Sequence, residues 1–217
     1  MRNARFNTVF FILTFWLSHA SFAQNEQLFK LWPDSVLAKA NSARGVSFLS
    51  EEEKQVIYYT NLVRINPRLF AKTFLIKYID EYDIKKDKEI KELIKELEFK
   101  GRMNILNPSL DLTNLARNHA FDMGQTGRTG HNSSDGKSFK MRMEQIASIY
   151  DGVNENCNYG TDKGLLIFMD LLIDRNVPNY GHRKNILDPM MKFIGVAIEP
   201  HKRWQFNCVQ DFGGPRL

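Results

Sequence analysis

Cysteine is nearly absent: the 217 residues include only Cys157 and Cys208. That excludes a disulfide-built miniature scaffold and leaves the fold to a hydrophobic core, which a chain of this length can supply. Long apolar runs are absent beyond the first residues, so no later segment reads as a membrane span. Strong charge of one sign is missing too. The formal charge is +5, and the basic residues do not line up in a stripe, so no nucleic-acid partner is expected. There is no G-x-S-x-G elbow, phosphate loop, dinucleotide fingerprint or H-E-x-x-H helix, and so no ready-made catalytic motif.

What is present begins with Arg2 and Arg5, followed by an apolar run from Val9 to Leu17 and by small residues at Ser21 and Ala23. This is the layout of a secretory signal peptide over residues 1–23, cleaved near Ala23 before Gln24. The run is about half of what a bilayer requires. The working chain is therefore expected to be secreted or periplasmic, and losing Arg2 and Arg5 lowers its formal charge to +3. In an oxidising compartment the two cysteines read as one disulfide, Cys157–Cys208, worth roughly 4 kcal/mol for a loop of about fifty residues.

Residues 24–49 are polar and mixed and read as a lead-in segment to a domain over residues 50–214. Ser50 and Glu53 spell a capping box that opens a helix, broken or kinked at Pro67. The charged run over 78–100 carries Ile84, Ile90, Leu93, Ile94 and Leu97 at helical spacing and reads as one amphipathic helix. A further helix covers "SLDLTNLARNHAFDMGQTG", and a nearly all-apolar one covers "DKGLLIFMDLLID". "VNENCNY" reads as extended, and "KFIGVAIE" and "RWQFNCVQDF" read as an antiparallel hairpin. Helices early and strands late give an α+β domain with helices covering an antiparallel sheet.

Four histidines lie beyond the signal peptide. His119 reads as a helix histidine with one hydrogen bond, and His201 as an exposed turn residue. His131 and His182 each follow a glycine in turn-rich loops, where a functional side chain can be presented. Glu155 lies in a strand-like run and needs donors if it is buried. Asp170 and Asp174 share one helix face, and Asp174, at the helix C-terminus, opposes the macrodipole and needs a cation or metal. His182 is the nearest candidate, with Arg183 as its competitor. Two imidazoles and two carboxylates could hold zinc or another divalent cation, or form a hydrogen-bonded cluster without metal. A Cys157 nucleophile with His182 as base conflicts with the expected disulfide.

The ordered set "LARNHAFDM", "GHNSS", "NENCNYG", "NVPNYGHRKNIL", "FIGVAIE" and "CVQDFG" resembles the CAP superfamily of sperm-coating, antigen 5 and pathogenesis-related 1 proteins, in its bacterial secreted form. The early "NLVRINPRLFA" is similar to the family's first helix. The resemblance implies a three-layer α-β-α sandwich with a central antiparallel sheet and a cleft tetrad of two histidines and two acids. His131, Glu155 and His182 match three of its members. The fourth, commonly glutamate, is met here by Asp174, with Asp170 as the alternative. The resemblance implies a cleft that binds a small ligand, lipid or sterol included, or a protein partner, with His131 and His182 as the metal ligands where a cation is held. It reads as a binding module rather than an enzyme. One alternative is a metal-dependent extracellular hydrolase with Glu155 as general base. The other is a scaffold whose polar cluster only ties loops together.

Overall fold

The computed structural model describes residues 27–216, so the expected signal peptide at 1–23 lies outside the described residues. The elements follow the local chemistry of the chain. Helix α1 (Asp34–Ala40) is followed by α2 (Glu51–Ile65), which opens on the expected capping box: Glu53 N–H donates to Ser50 Oγ, and Ser50 N–H to Glu53 Oε2 at 2.7 Å. It stops at Asn66, whose side chain caps the next helix through Leu69 N–H. Pro67 takes the first position of that helix, where a missing N–H costs nothing. Helix α3 (Pro67–Phe70) runs through a π-helical turn (Ala71–Leu75) into α4 (Ile76–Glu81).

The charged run is not the single helix expected of it. It breaks after Glu81 at a turn with Asp83 at φ 47°, and restarts as α5 (Lys88–Phe99) with Asp87 accepting from Ile90 N–H. Hydrophobic spacing cannot register a competing cap of this kind. The lead-in segment also differs from expectation. Trp32 and Ala40 are buried, and Trp32 donates to Thr73 Oγ1 at 3.3 Å, so part of it belongs to the core.

Strand β1 (Asn107–Pro108) precedes α6 (Leu110–Thr126), which starts at the Ser109 cap and ends at Gly127, φ 71°. That left-handed ending is strained for any side chain with a Cβ. Helix α7 (Phe139–Met143) leads into β2 (Tyr150–Tyr159), α8 (Gly164–Ile173), α9 (Gly181–Ile186) and the strands β3 (Phe193–His201) and β4 (Gln205–Pro215).

The sheet order is β1-β3-β4-β2. β3 and β4 form the expected antiparallel hairpin and β2 pairs antiparallel with β4, but β1 runs parallel to β3 over its two residues. The sheet is therefore mixed rather than wholly antiparallel.

Both sheet faces are covered. On one, Cys157, Ala197 and Val209 pack against Ala116 and Ala120 of α6. Gly195 permits this approach, since a Cβ there would lie 2.1 Å from the Leu112 and Thr113 backbone. On the other face, Ile194, Val196, Cys208 and Phe212 pack against residues of α2 and α8. Each such fully buried aliphatic or aromatic side chain contributes about 1.5–3 kcal/mol. The result is an α+β domain with helix, sheet and helix in three layers.

This alternation also overturns the expected disulfide. Cys157 pairs with Val209, and Cys208 with Asn158, so the two sulfurs point to opposite faces. Both are free and buried. Bridging them would need a register slip that turned one strand over.

Candidate functional site

Strand β2 carries the site because its alternate residues serve different layers. Glu155 shares the α6 face with Cys157 and is almost wholly covered, its side chain 1% exposed. A carboxylate there is tolerated only with donors. His131 Nδ1 supplies one to Oε1 at 2.8 Å, and the Arg142 guanidinium of α7 supplies another to Oε2. Burial pushes the Glu155 carboxyl up, but the His131 donor and the neighbouring His119 and Arg142 outweigh it and hold the carboxyl below its ordinary value.

Arg142 also donates to His131 O at 2.6 Å, so the guanidinium folds the glycine-rich loop around the carboxylate it serves. Gly130, at φ 102°, makes the turn that only glycine adopts without strain. The His131 ring is about half-exposed, with Nδ1 committed to Glu155.

The second pair belongs to the other layer. Asp174 follows α8 in the left-handed conformation, φ 57°, and is buried. His182 Nδ1 donates to its Oδ1 at 2.8 Å, and Arg183 N–H to its Oδ2 at 3.1 Å. The Arg183 guanidinium answers the helix end itself, donating to Leu172 O and Ile173 O beneath the Tyr180 ring. His182 and Arg183 therefore share the task instead of competing for it. Asp174, not Asp170, meets His182: Asp170 is exposed and accepts from Asn158. Gly181 has helical angles, φ −61°, so its glycine freedom is not what positions His182.

The four tetrad residues thus form two imidazole–carboxylate pairs. Among the described residues no hydrogen bond or ion pair joins the side chains of one pair to those of the other. Asn156 connects them. Its amide donates to His182 O at 3.3 Å and Gln210 Oε1 at 3.0 Å, and its oxygen accepts from Asn185 Nδ2 at 2.8 Å. Asn185 reaches Glu155 O as well, at 3.2 Å.

Sequence reasoning missed Asn156, Asn185 and Arg142. His119, expected to be a partly buried helix histidine with one hydrogen bond, is buried, bonds Gly130 O and lies 4.0 Å from Glu155, a position that sequence reasoning missed. Burial lowers the pKa of His119, against the opposing pull of Glu155. His201 is the opposite of the exposed residue expected: it is buried, meets Arg128 O through Nε2, and accepts two turn amides at Nδ1.

Each tetrad imidazole spends Nδ1 on a carboxylate, which fixes the tautomer and leaves Nε2 to accept a proton, donate one or bind a metal. As a zinc set the pair is incomplete. Among the described residues, no group of three ligating side chains within 4.8 Å of one another contains His131 and His182. Cys157 is no nucleophile: burial, reinforced by Glu155 and Asp211, pushes its thiol well above the ordinary value.

Residues 99–212 match the family model for CAP, the cysteine-rich secretory protein family. The match takes in more than half of the chain, which belongs to that family. No curated protein matches it. Solved structures with a similar fold include an extracellular protein containing an SCP domain from Bacillus anthracis, with 15% identity, TM-score 0.47, 75% of this chain and 41% of that one. An outer surface protein from Borrelia burgdorferi has 18% identity and TM-score 0.45 over 61% of this chain and 97% of that one. Venom allergen-like protein 4 of Schistosoma mansoni has 12% identity and TM-score 0.47 over 78% and 92%. The chain spans about two fifths of the Bacillus protein. Among the described residues no helix is long and apolar enough to cross a membrane.

Proposed function

We propose that this is an exported CAP-domain protein that binds a small ligand or a protein partner through the partly exposed imidazoles of His131 and His182. One observation carries the reading: each ring is fixed at Nδ1 by a buried carboxylate and is itself partly exposed, 51% and 22%. Polar groups held in this way recognise a ligand without paying to be ordered at binding. Export rests on the signal-peptide layout of residues 1–23.

A divalent cation shared by His131 and His182 is a second reading, supported by the carboxylate-backed rings. Ligand or water atoms would have to complete its shell. The hydrolase reading loses its general base, because Glu155 is covered, anionic and already bonded to two donors. If chemistry occurs, His182 backed by Asp174 is the better base.

The test follows the ring signals of His131 and His182 by NMR during titration with lipid, sterol, peptide and zinc probes. Shifts confined to these rings, with binding lost in His131→Ala/His182→Ala, support the reading. Binding that survives unchanged in the double variant removes it. Turnover on peptide or ester substrates, lost in His182→Ala, would move the reading to an enzyme.

A further inference from the structure

Behind the His131 ring lies a group of donors that includes Glu155, the carboxylate that holds the ring. His119, Glu155 and Cys157 bring a nitrogen, an oxygen and a sulfur within 4.8 Å of one another, all in buried residues. We propose that these three side chains form an internal centre for a thiolate-binding divalent transition ion of the zinc type.

The donor set suits that class. Zinc takes sulfur, imidazole nitrogen and carboxylate oxygen at about 2.0–2.3 Å, which sets ligand-to-ligand edges of about 3.3–3.8 Å. His119 Nε2 and Glu155 Oε1 stand 4.0 Å apart, so a small inward movement closes that edge. Arg142 holds the other carboxylate oxygen, the outer support that ligating carboxylates usually have. Gly130 O now accepts from both His119 Nε2, at 2.9 Å, and Cys157 Sγ, at 3.7 Å, so the two donors already point to one place.

A second observation sets this cluster apart from an ordinary structural network. Two polar atoms in and around it lack any hydrogen-bond partner: His119 Nδ1 and Arg142 Nε. Cys157 releases its proton to solvent and the sulfur binds as thiolate. His119 moves its proton from Nε2 to the unpartnered Nδ1, so that Nε2 can bind. The Cys157 thiolate and the Glu155 carboxylate are two negative ligands that neutralise a divalent ion. A cavity of about 250 Å³, lined by His119 and Arg142 among others, lies beside the cluster and offers a way in.

The centre shares Glu155 with the His131 ring but has no part for His182, so His182→Ala, which should impair cleft binding and keep the metal, tells the two apart. The test is cobalt(II) titration of the metal-free protein, followed by displacement with zinc(II). Native protein should bind one equivalent and show thiolate-to-cobalt charge-transfer absorption in the near ultraviolet. Cys157→Ser should lose that absorption while Cys208→Ser keeps it. His119→Gln should weaken binding at least tenfold, and His182→Ala should retain the band. Native protein without a thiolate band overturns the proposal even if no variant folds. So does a band that persists in Cys157→Ser, or one that disappears in His182→Ala alone.

Discussion

The two imidazole–carboxylate pairs make the same hydrogen bond, Nδ1 to carboxylate at 2.8 Å, but are built in opposite ways. Glu155 comes from a strand, is stabilised by a guanidinium from another element, and holds a half-exposed ring on a loop. Asp174 comes from a helix end, is stabilised by the next turn's own backbone, and holds a more sheltered ring. The first pair therefore depends on long-range packing of α7 against β2, whereas the second is nearly local in sequence. Identical contacts can thus have unequal energetic weight, and substitutions should expose the difference.

The largest effect is expected at Glu155. Glu155→Ala leaves Arg142 buried without its counter-charge and should cost about 3–5 kcal/mol in urea denaturation. Asp174→Asn keeps the size but loses a charge-assisted bond to His182, and should cost about 1.5–3 kcal/mol. A reversed order would mean that Arg142 finds another acceptor.

Acid should act first through the Glu155 side. His119 has its pKa lowered from 6.5, mainly by burial, so its contribution to stability is present above that value and is lost as pH falls toward the folded one. Glu155, lowered from 4.5, adds a second loss further down. Denaturation midpoints should fall from about pH 6.5 downward, and less so in His119→Gln. Asp211 has the opposite sign. Burial and Glu155 raise its pKa well above 3.8, so its contribution is full below that value and is lost as pH rises. Asp211→Asn should therefore be more stable than the native protein at pH 7, with the advantage shrinking in acid. His131→Ala also strips a charge-assisted bond from a buried carboxylate, but Arg142 stays on Glu155, so the loss should be about 1.5–3 kcal/mol in the same denaturation, below that of Glu155→Ala.

Much of this was legible in the chain. The Ser50/Glu53 box, the hairpin of β3 and β4, and the Asp174–His182 neighbourhood follow from local patterns, because the interacting groups lie within a few residues of one another. What could not be read depends on distant partners. Nothing in "FKMRMEQIA" marks Arg142 as the guanidinium for Glu155. The disulfide failed because counting cysteines ignores which sheet face each occupies, although the alternation of Cys157 and Cys208 against apolar neighbours held that information. Asp211 in "CVQDF" was a visible signal, an acid in an apolar strand, and it went unused.

The central claim, that the four residues act as two separately held pairs, is tested most directly by a double-mutant cycle. Stabilities of the native protein, His131→Ala, His182→Ala and the double variant would be measured by urea denaturation with chelator present. Two separate pairs predict losses that add to within about 0.5 kcal/mol. A coupling energy above about 1 kcal/mol would show the two pairs held as one unit in the fold and contradict the account.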